Sequence, residues 1–117
     1  MRIDPDSDVP PYEQVRLHFA QAINNRALAV GAKLPTVRAL AADLGLAVNT
    51  VARAYRELEE AGLVETRGRA GTVVSARSDR SRERVLRAAT SYAATVAELG
   101  ISKREALDIV TAALDQP

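Results

Sequence analysis

Asn49, Arg53 and Arg56 stand four and three residues apart, the spacing that places three side chains on one face of a helix. An Asn amide both donates and accepts, and an Arg guanidinium is a planar fork of N–H donors that stays charged at any physiological pH. The chemistry open to such a face is recognition, of phosphate oxygens and of the edges of nucleobases. Residues 33–56 hold Lys33, Arg38, Arg53 and Arg56 against Asp43 alone, although the whole chain carries a net charge of only +1. A second basic group, Arg67-Gly68-Arg69-Ala70-Gly71, lies between the β-favouring runs Leu63–Thr66 and Thr72–Ser75. That pattern predicts a hairpin with a Gly-rich tip, a shape able to reach a phosphate backbone or a minor groove.

Catalytic chemistry finds little support. His18, next to Phe19, is the only histidine, and no serine has a paired base near it in sequence. Asp4, Asp6 and Asp8 alternate as in a calcium loop, but the central Gly and the distal Glu are missing and Pro5 intervenes. Gly68–Gly71 lacks the Lys-Ser/Thr and the following helix of a phosphate loop. No metal, no cofactor and no enzymatic activity are expected. The chain has no cysteine, so disulfides and thiolate catalysis are excluded. Its apolar runs are too short for a membrane span and no signal peptide is visible, which leads to a cytoplasmic expectation. With 47% apolar and 26% charged residues, a folded chain is expected rather than a disordered one.

The elements that must position these side chains follow from periodicity. Residues 1–9 read as a loose acidic lead-in, and Pro10-Pro11 opens a helix whose apolar face is Tyr12, Val15, Phe19 and Ile23. Ala27–Leu34 is a connector with room for a very short strand. Thr36 can cap the next helix, which carries Val37, Leu40, Ala41 and Leu44 on one stripe and stops at Gly45. A helix over 48–61 repeats the spacing with Val51, Ala54, Tyr55 and Leu58, and ends at Gly62. Two helices across a Gly turn, the second with an Asn/Arg outer face, make a helix-turn-helix pattern. An ordinary helical hairpin is the competing reading. In it the arginines pair along their own helix, as Arg53–Glu57 and Arg56–Glu60.

Beyond Ala76 the residues 77–87 are charged, and Ser78-Asp79 reads as a linker or a helix cap. Val85, Ala89, Tyr92, Val96 and Leu99 then alternate by four and three, the rhythm of a coiled-coil seam over two heptads. Gly100 ends that helix, Ser102 and Glu105 match a capping box, Ile101 and Ala106 suit its staple, and Leu107, Val110 and Leu114 mark a last apolar face. Two such helices cannot cover both faces by themselves, so a second copy of the chain is expected against 77–117. Tyr92 is read as seam core and not as a ligand contact. The fold class is thus mainly α with a small β-hairpin, in three parts: 1–9, 10–76 and 77–117.

Over 10–76 the residues closely resemble the winged helix-turn-helix domain of GntR-family bacterial transcription regulators. The motifs are Pro-Tyr-Glu-Gln, Leu-Pro-Thr-Val-Arg, Asn-Thr-Val-Ala-Arg-Ala-Tyr, Leu-Glu-Glu-Ala-Gly-Leu-Val and Gly-Thr-Val-Val. The two helices after Ala76 look like the small YtrA-type subfamily, whose C-terminal helices mediate dimerisation. The resemblance implies a homodimeric repressor of a palindromic operator on double-stranded DNA, of the kind that controls transporter operons. It puts Thr36 at a phosphate and Arg38 at the groove edge. It places Val48, Asn49, Thr50 and Arg53 on the recognition helix and Arg67, Arg69 and Gly71 in the wing. Arg56, on the same outer face of the helix, is expected at phosphate or groove. This sequence departs from the pattern at Ala47, which cannot cap a helix, and at Val48, which cannot read guanine. A protein-interaction module using the same face is the alternative, and no residue identifies a small-molecule effector.

Overall fold

The computed structural model describes residues 1–116. Pro117, the last residue of the expected 77–117 segment, lies outside the described residues. The chain divides into two compact units, Met1–Ser81 and the residues from Arg82 onward. In order they contain α1 (Pro11–Asn24), α2 (Val37–Leu44), α3 (Val48–Glu60), β1 (Val64–Thr66), β2 (Thr72–Val74), α4 (Ser81–Leu99) and α5 (Lys103–Leu114).

Each helix of the first unit starts and stops for a local reason. Pro10 and Pro11 begin α1, where a missing N–H removes no helical bond. The Thr36 hydroxyl accepts from the Ala39 N–H at 3.1 Å and opens α2. Gly45, at φ 68°, closes α2 in the left-handed region. The inward stripes meet in one core of Val15, Phe19 and Ile23 from α1, Leu40 and Ala41 from α2, and Val51, Ala54, Tyr55 and Leu58 from α3, closed below by Val64 and Val74. Phe19 and Tyr55 meet edge to face with centroids 5.8 Å apart.

β1 and β2 pair antiparallel in the register Val64↔Val74, Glu65↔Val73 and Thr66↔Thr72. The connector before α2 supplies a third line of pairing. Lys33 bridges Val73, the Leu34 N–H donates to the Thr72 carbonyl and the Val74 N–H to that of Ala32, each at 2.9 Å. The room for a short strand at 27–34 is used.

Two expectations are corrected. The lead-in 1–9 is held and not loose. The Gln14 side chain accepts from the Asp4 N–H at 2.8 Å and donates to the carbonyls of Asp4 and Val9 at 2.9 and 2.8 Å, while Ile3 packs against the core. Ser78 and Asp79 are neither linker nor helix cap. They sit in a 3₁₀ turn, Ala76–Arg80, whose start is capped by the Ser75 hydroxyl, and both Ser75 and Ser78 are buried. A short polar side chain fits at Ser75 because its hydroxyl accepts from the Arg77 N–H at 3.1 Å.

The second unit comprises the rest of α4, and α5. Gly100 (φ 69°) turns the chain between them, and the Ser102 hydroxyl caps α5 by accepting from the Glu105 N–H at 3.1 Å. The Tyr92 hydroxyl donates to the Ala106 carbonyl at 2.6 Å. Of the expected seam, Tyr92, Val96 and Val110 are half-buried, while Val85, Ala89, Leu99, Leu107 and Leu114 are exposed.

Candidate nucleic-acid interface

The recognition face is made by what α3 buries. With Val51, Ala54, Tyr55 and Leu58 turned inward, the rest of the helix must face out. Val48, Asn49, Arg53 and Arg56 are exposed and Thr50 is half-buried. Ala47 stands at the N-cap without a side-chain bond, so no side-chain acceptor covers the first turn of α3. The start of α2 is pinned to the middle of α3, because the Tyr55 hydroxyl donates to the Pro35 carbonyl at 2.7 Å. Burial pushes that phenol up to about 12, which keeps it protonated as a donor. Thr36 and Arg38 are exposed at the same end of α2.

Arg53 is not a free cation. Its guanidinium lies 3.7 Å from the centroid of the Tyr12 ring on α1, and its Nε donates to Glu57 Oε2 at 3.1 Å. The other Glu57 oxygen is 3.9 Å from Arg16 Nε, which bonds Glu13. The sequence anticipates the Arg53–Glu57 pair by spacing. It does not single out Tyr12, whose ring stacks across two helices. The Arg56–Glu60 pair does not form among the described residues. Arg56 instead borders a cleft of about 290 Å³ between α3 and the wing, lined also by Val37, Ala52, Glu59, Thr66 and Thr72.

The wing tip between β1 and β2 is a single 3₁₀ turn, Gly68–Ala70, followed by Gly71 at φ 77° and ψ −153°, a conformation open to glycine and closed to most side chains. The Arg67 N–H donates to the Gly71 carbonyl at 2.8 Å and closes the tip. The Arg67 Nε donates to Glu65 at 2.7 Å, so one wing arginine is partly neutralised, while Arg69 is exposed. The Thr66 hydroxyl donates to Glu59 Oε2 at 3.0 Å and ties the wing to α3.

His18 packs edge-on against Phe19 at 5.1 Å. Partial burial, and then the charge of the N-terminal amine, lower its pKa below the ordinary histidine value. Among the described residues no group of His, Asp and Glu is placed to hold a metal, and no helix is long and apolar enough to cross a membrane. In the second unit a trough of about 470 Å³ runs along α4 and is lined by that helix alone, including Glu83, Arg87 and Ser91. It is an open furrow and not an enclosed ligand cavity.

Three helices with a two-stranded wing, an outward Asn/Arg face and basic side chains at the wing tip define a winged helix-turn-helix DNA-binding protein. The model of bacterial regulatory proteins of the gntR family matches residues 11–74, and the chain belongs to that family. It is therefore a DNA-binding transcription regulator and not an enzyme. It is 44% identical over 111 residues to the HTH-type transcriptional regulator Rv1152 of Mycobacterium tuberculosis, covering 95% of this chain and 91% of that one. It is 43% identical over 76 residues to the HTH-type transcriptional repressor YtrA of Bacillus subtilis, covering 64% of this chain and 58% of the relative. Among solved structures, YtrA from Sulfolobus acidocaldarius, a GntR-family transcription factor, superposes with a TM-score of 0.67 at 29% identity over 97% of this chain and 96% of that one. The AraR DNA-binding domain, solved in complex with operator ORX1, gives 0.58 at 26% identity over 64% of this chain and 95% of the other.

Proposed function

We propose that this regulator is a homodimeric repressor whose two copies of α3 enter successive major grooves of a palindromic operator. The observation that carries the reading is the division of α3: one stripe is sealed in the core, and its first turn and outer face stand exposed beside the wing. The AraR domain bound to its operator and the Bacillus subtilis relative named a repressor support it.

Asn49, flanked by Val48 and Thr50, is placed to meet base edges. Asn suits adenine, and Val48 suits a thymine methyl. Arg53 reads a base only by leaving Tyr12 and Glu57. Thr36, Arg38, Arg56, Arg67, Arg69 and the Gly71 backbone serve the phosphates and the minor groove. Dimerisation falls to the second unit, where Val85, Ala89, Leu99, Leu107 and Leu114 are exposed beside the half-buried Tyr92, Val96 and Val110. A two-fold dimer would set half-sites about 34 to 36 Å apart. Occupancy of an operator overlapping a promoter, such as that of a transporter operon, would block transcription.

Footprinting of the DNA upstream of the protein's own gene tests this, run at two salt concentrations with random duplex as competitor. A protected palindrome that survives competitor is the expected result and gives the half-site spacing. Loss of all protection under competitor would remove sequence-specific repression at that site. Absence of binding to either duplex at low salt would turn the same face into a protein-docking surface.

A further inference from the structure

We infer that Lys33, outside both the recognition helix and the wing hairpin, is a phosphate-contacting residue that joins them into one basic track. The inference rests on the DNA-binding reading and adds a residue to it. Lys33 is exposed and bridges Val73 as the third line of the wing sheet. Directly opposed residues share a face of a sheet, so Lys33 stands with Val73, and through it with Glu65, on the face away from Val64 and Val74.

Its side chain runs towards the tip. A Cβ built on Gly71 would come within 3.3 Å of the Lys33 Cε, which places the ammonium-bearing end of the chain against the wing turn. Three residues on, Thr36 caps α2 and Arg38 follows, so Lys33 lies between the start of α2 and the tip that carries Arg67 and Arg69. Charge accounting groups it with Arg38, Arg56 and Arg69, which also have no ion pair among the described residues, and separates it from three other arginines. Arg53 is held by Glu57, Arg16 by Glu13 and Arg67 by Glu65. Among the described residues Lys33 has no ion-pair partner, and no internal carboxylate must be released before it can meet a phosphate. A compact ammonium suits that role, since a point charge needs no fixed fork geometry.

The chain has only two lysines, Lys33 and Lys103, so amine chemistry can read them separately. The full-length protein would be acetylated with a limiting amine reagent, free and bound to the footprinted duplex, and each lysine followed by mass spectrometry. Lys33 should be modified at least about fivefold more slowly in the complex, with Lys103, in the second unit, as the internal reference. Equal Lys33 rates in free and bound protein would overturn the inference.

A salt series provides the second arm. Loss of one phosphate contact lowers the magnitude of the slope of log K against log salt by about 0.9, so Lys33→Gln in both copies of the proposed dimer should lower it by about 1.8 on specific and random duplex alike, and Lys33→Arg should restore it. A Lys33→Gln slope equal to that of the unmodified protein also overturns the inference while leaving the DNA reading intact. Failure of the unmodified protein to bind either duplex would instead overturn the DNA reading and the Lys33 role together.

Discussion

In residues 1–81, α1, α2, α3 and the wing turn their apolar side chains towards one another until Val15, Val51, Ala54, Leu58 and Val64 are fully sealed from water. From Arg82 onward Ala106 is the one buried apolar residue among the described residues, while Leu86, Leu99, Leu107 and Leu114 are each more than half exposed. Both regions are amphipathic by sequence and both have well-made helix ends. What separates them is whether each apolar stripe has its complement within the same unit. The first unit supplies every complement internally, so its stability is a property of one chain. The second leaves an exposed apolar face, and in the proposed dimer its stability would depend on protein concentration.

The largest effect should come from breaking the side that is complete. Leu58→Ala opens a cavity where α3 meets the rest of the core and should destabilise the first unit by about 2–5 kcal/mol, read as a lower urea midpoint with unchanged slope. A loss well under 1 kcal/mol would mean that the core relaxes around the site. Leu99→Glu with Leu107→Glu sharpens the other side. Removing two exposed leucines should hardly alter the first unit, yet an acidic pair in a buried seam should raise the dimer dissociation constant by about 100-fold, or roughly 2.7 kcal/mol. Sedimentation across a concentration series decides it, since an unchanged dimer places the interface elsewhere.

A smaller effect belongs to Tyr55. Its phenol ionises near 10 in an unfolded chain and only at about 12 when folded. Between those values the folded state holds the extra proton, so stability is intact below pH 10 and falls as pH rises through that window. Urea melts at pH 9 and 11 should differ in the unmodified protein. Tyr55→Phe should lose about 1 kcal/mol at pH 9, the worth of its bond to Pro35, and should flatten the pH dependence. Similar in size, but without the pH dependence, are the two helix caps. Thr36→Ala and Ser102→Ala each remove one hydroxyl acceptor and should each lose about 1 kcal/mol. Thr36→Ala should lower the midpoint of the first unit and Ser102→Ala should spare it; equal shifts would show that the two regions unfold as one.

The parts of this molecule that repeat along the chain were legible from the residues. The stripe Val51, Ala54, Tyr55 and Leu58, the Thr36 and Ser102 caps and the Gly45 stop all express local geometry, and each stands where spacing put it. Contacts between distant residues were not legible. Gln14 looks like any polar helix residue, yet it binds three backbone groups of the lead-in. Tyr12 belongs by period to the apolar face of α1, and its ring also carries Arg53. Arg53–Glu57 and Arg56–Glu60 have identical spacing, and only the first closes. Spacing sets which side chains can meet, and the neighbours on other elements decide which do. The 3₁₀ turn at Ala76–Arg80 escaped for a related reason: its charged composition suggests solvent, but Ser75, which caps it, and Ser78 within it are buried.

The attachments of the wing have a further consequence for the DNA. Residues 31–34 pair with β2 and then run through Pro35 into α2, and Thr66 is bound to Glu59 on α3. Held on two sides, the hairpin and the helix behave as the jaws of a locked calliper. Each base pair advances the duplex by about 3.4 Å, so a single inserted pair between the bases under one jaw and those under the other exceeds what bonds of 3 Å can follow. On the proposed operator, such a reader would treat each half-site as a word of fixed length, tolerant of some misspelling and intolerant of an added letter.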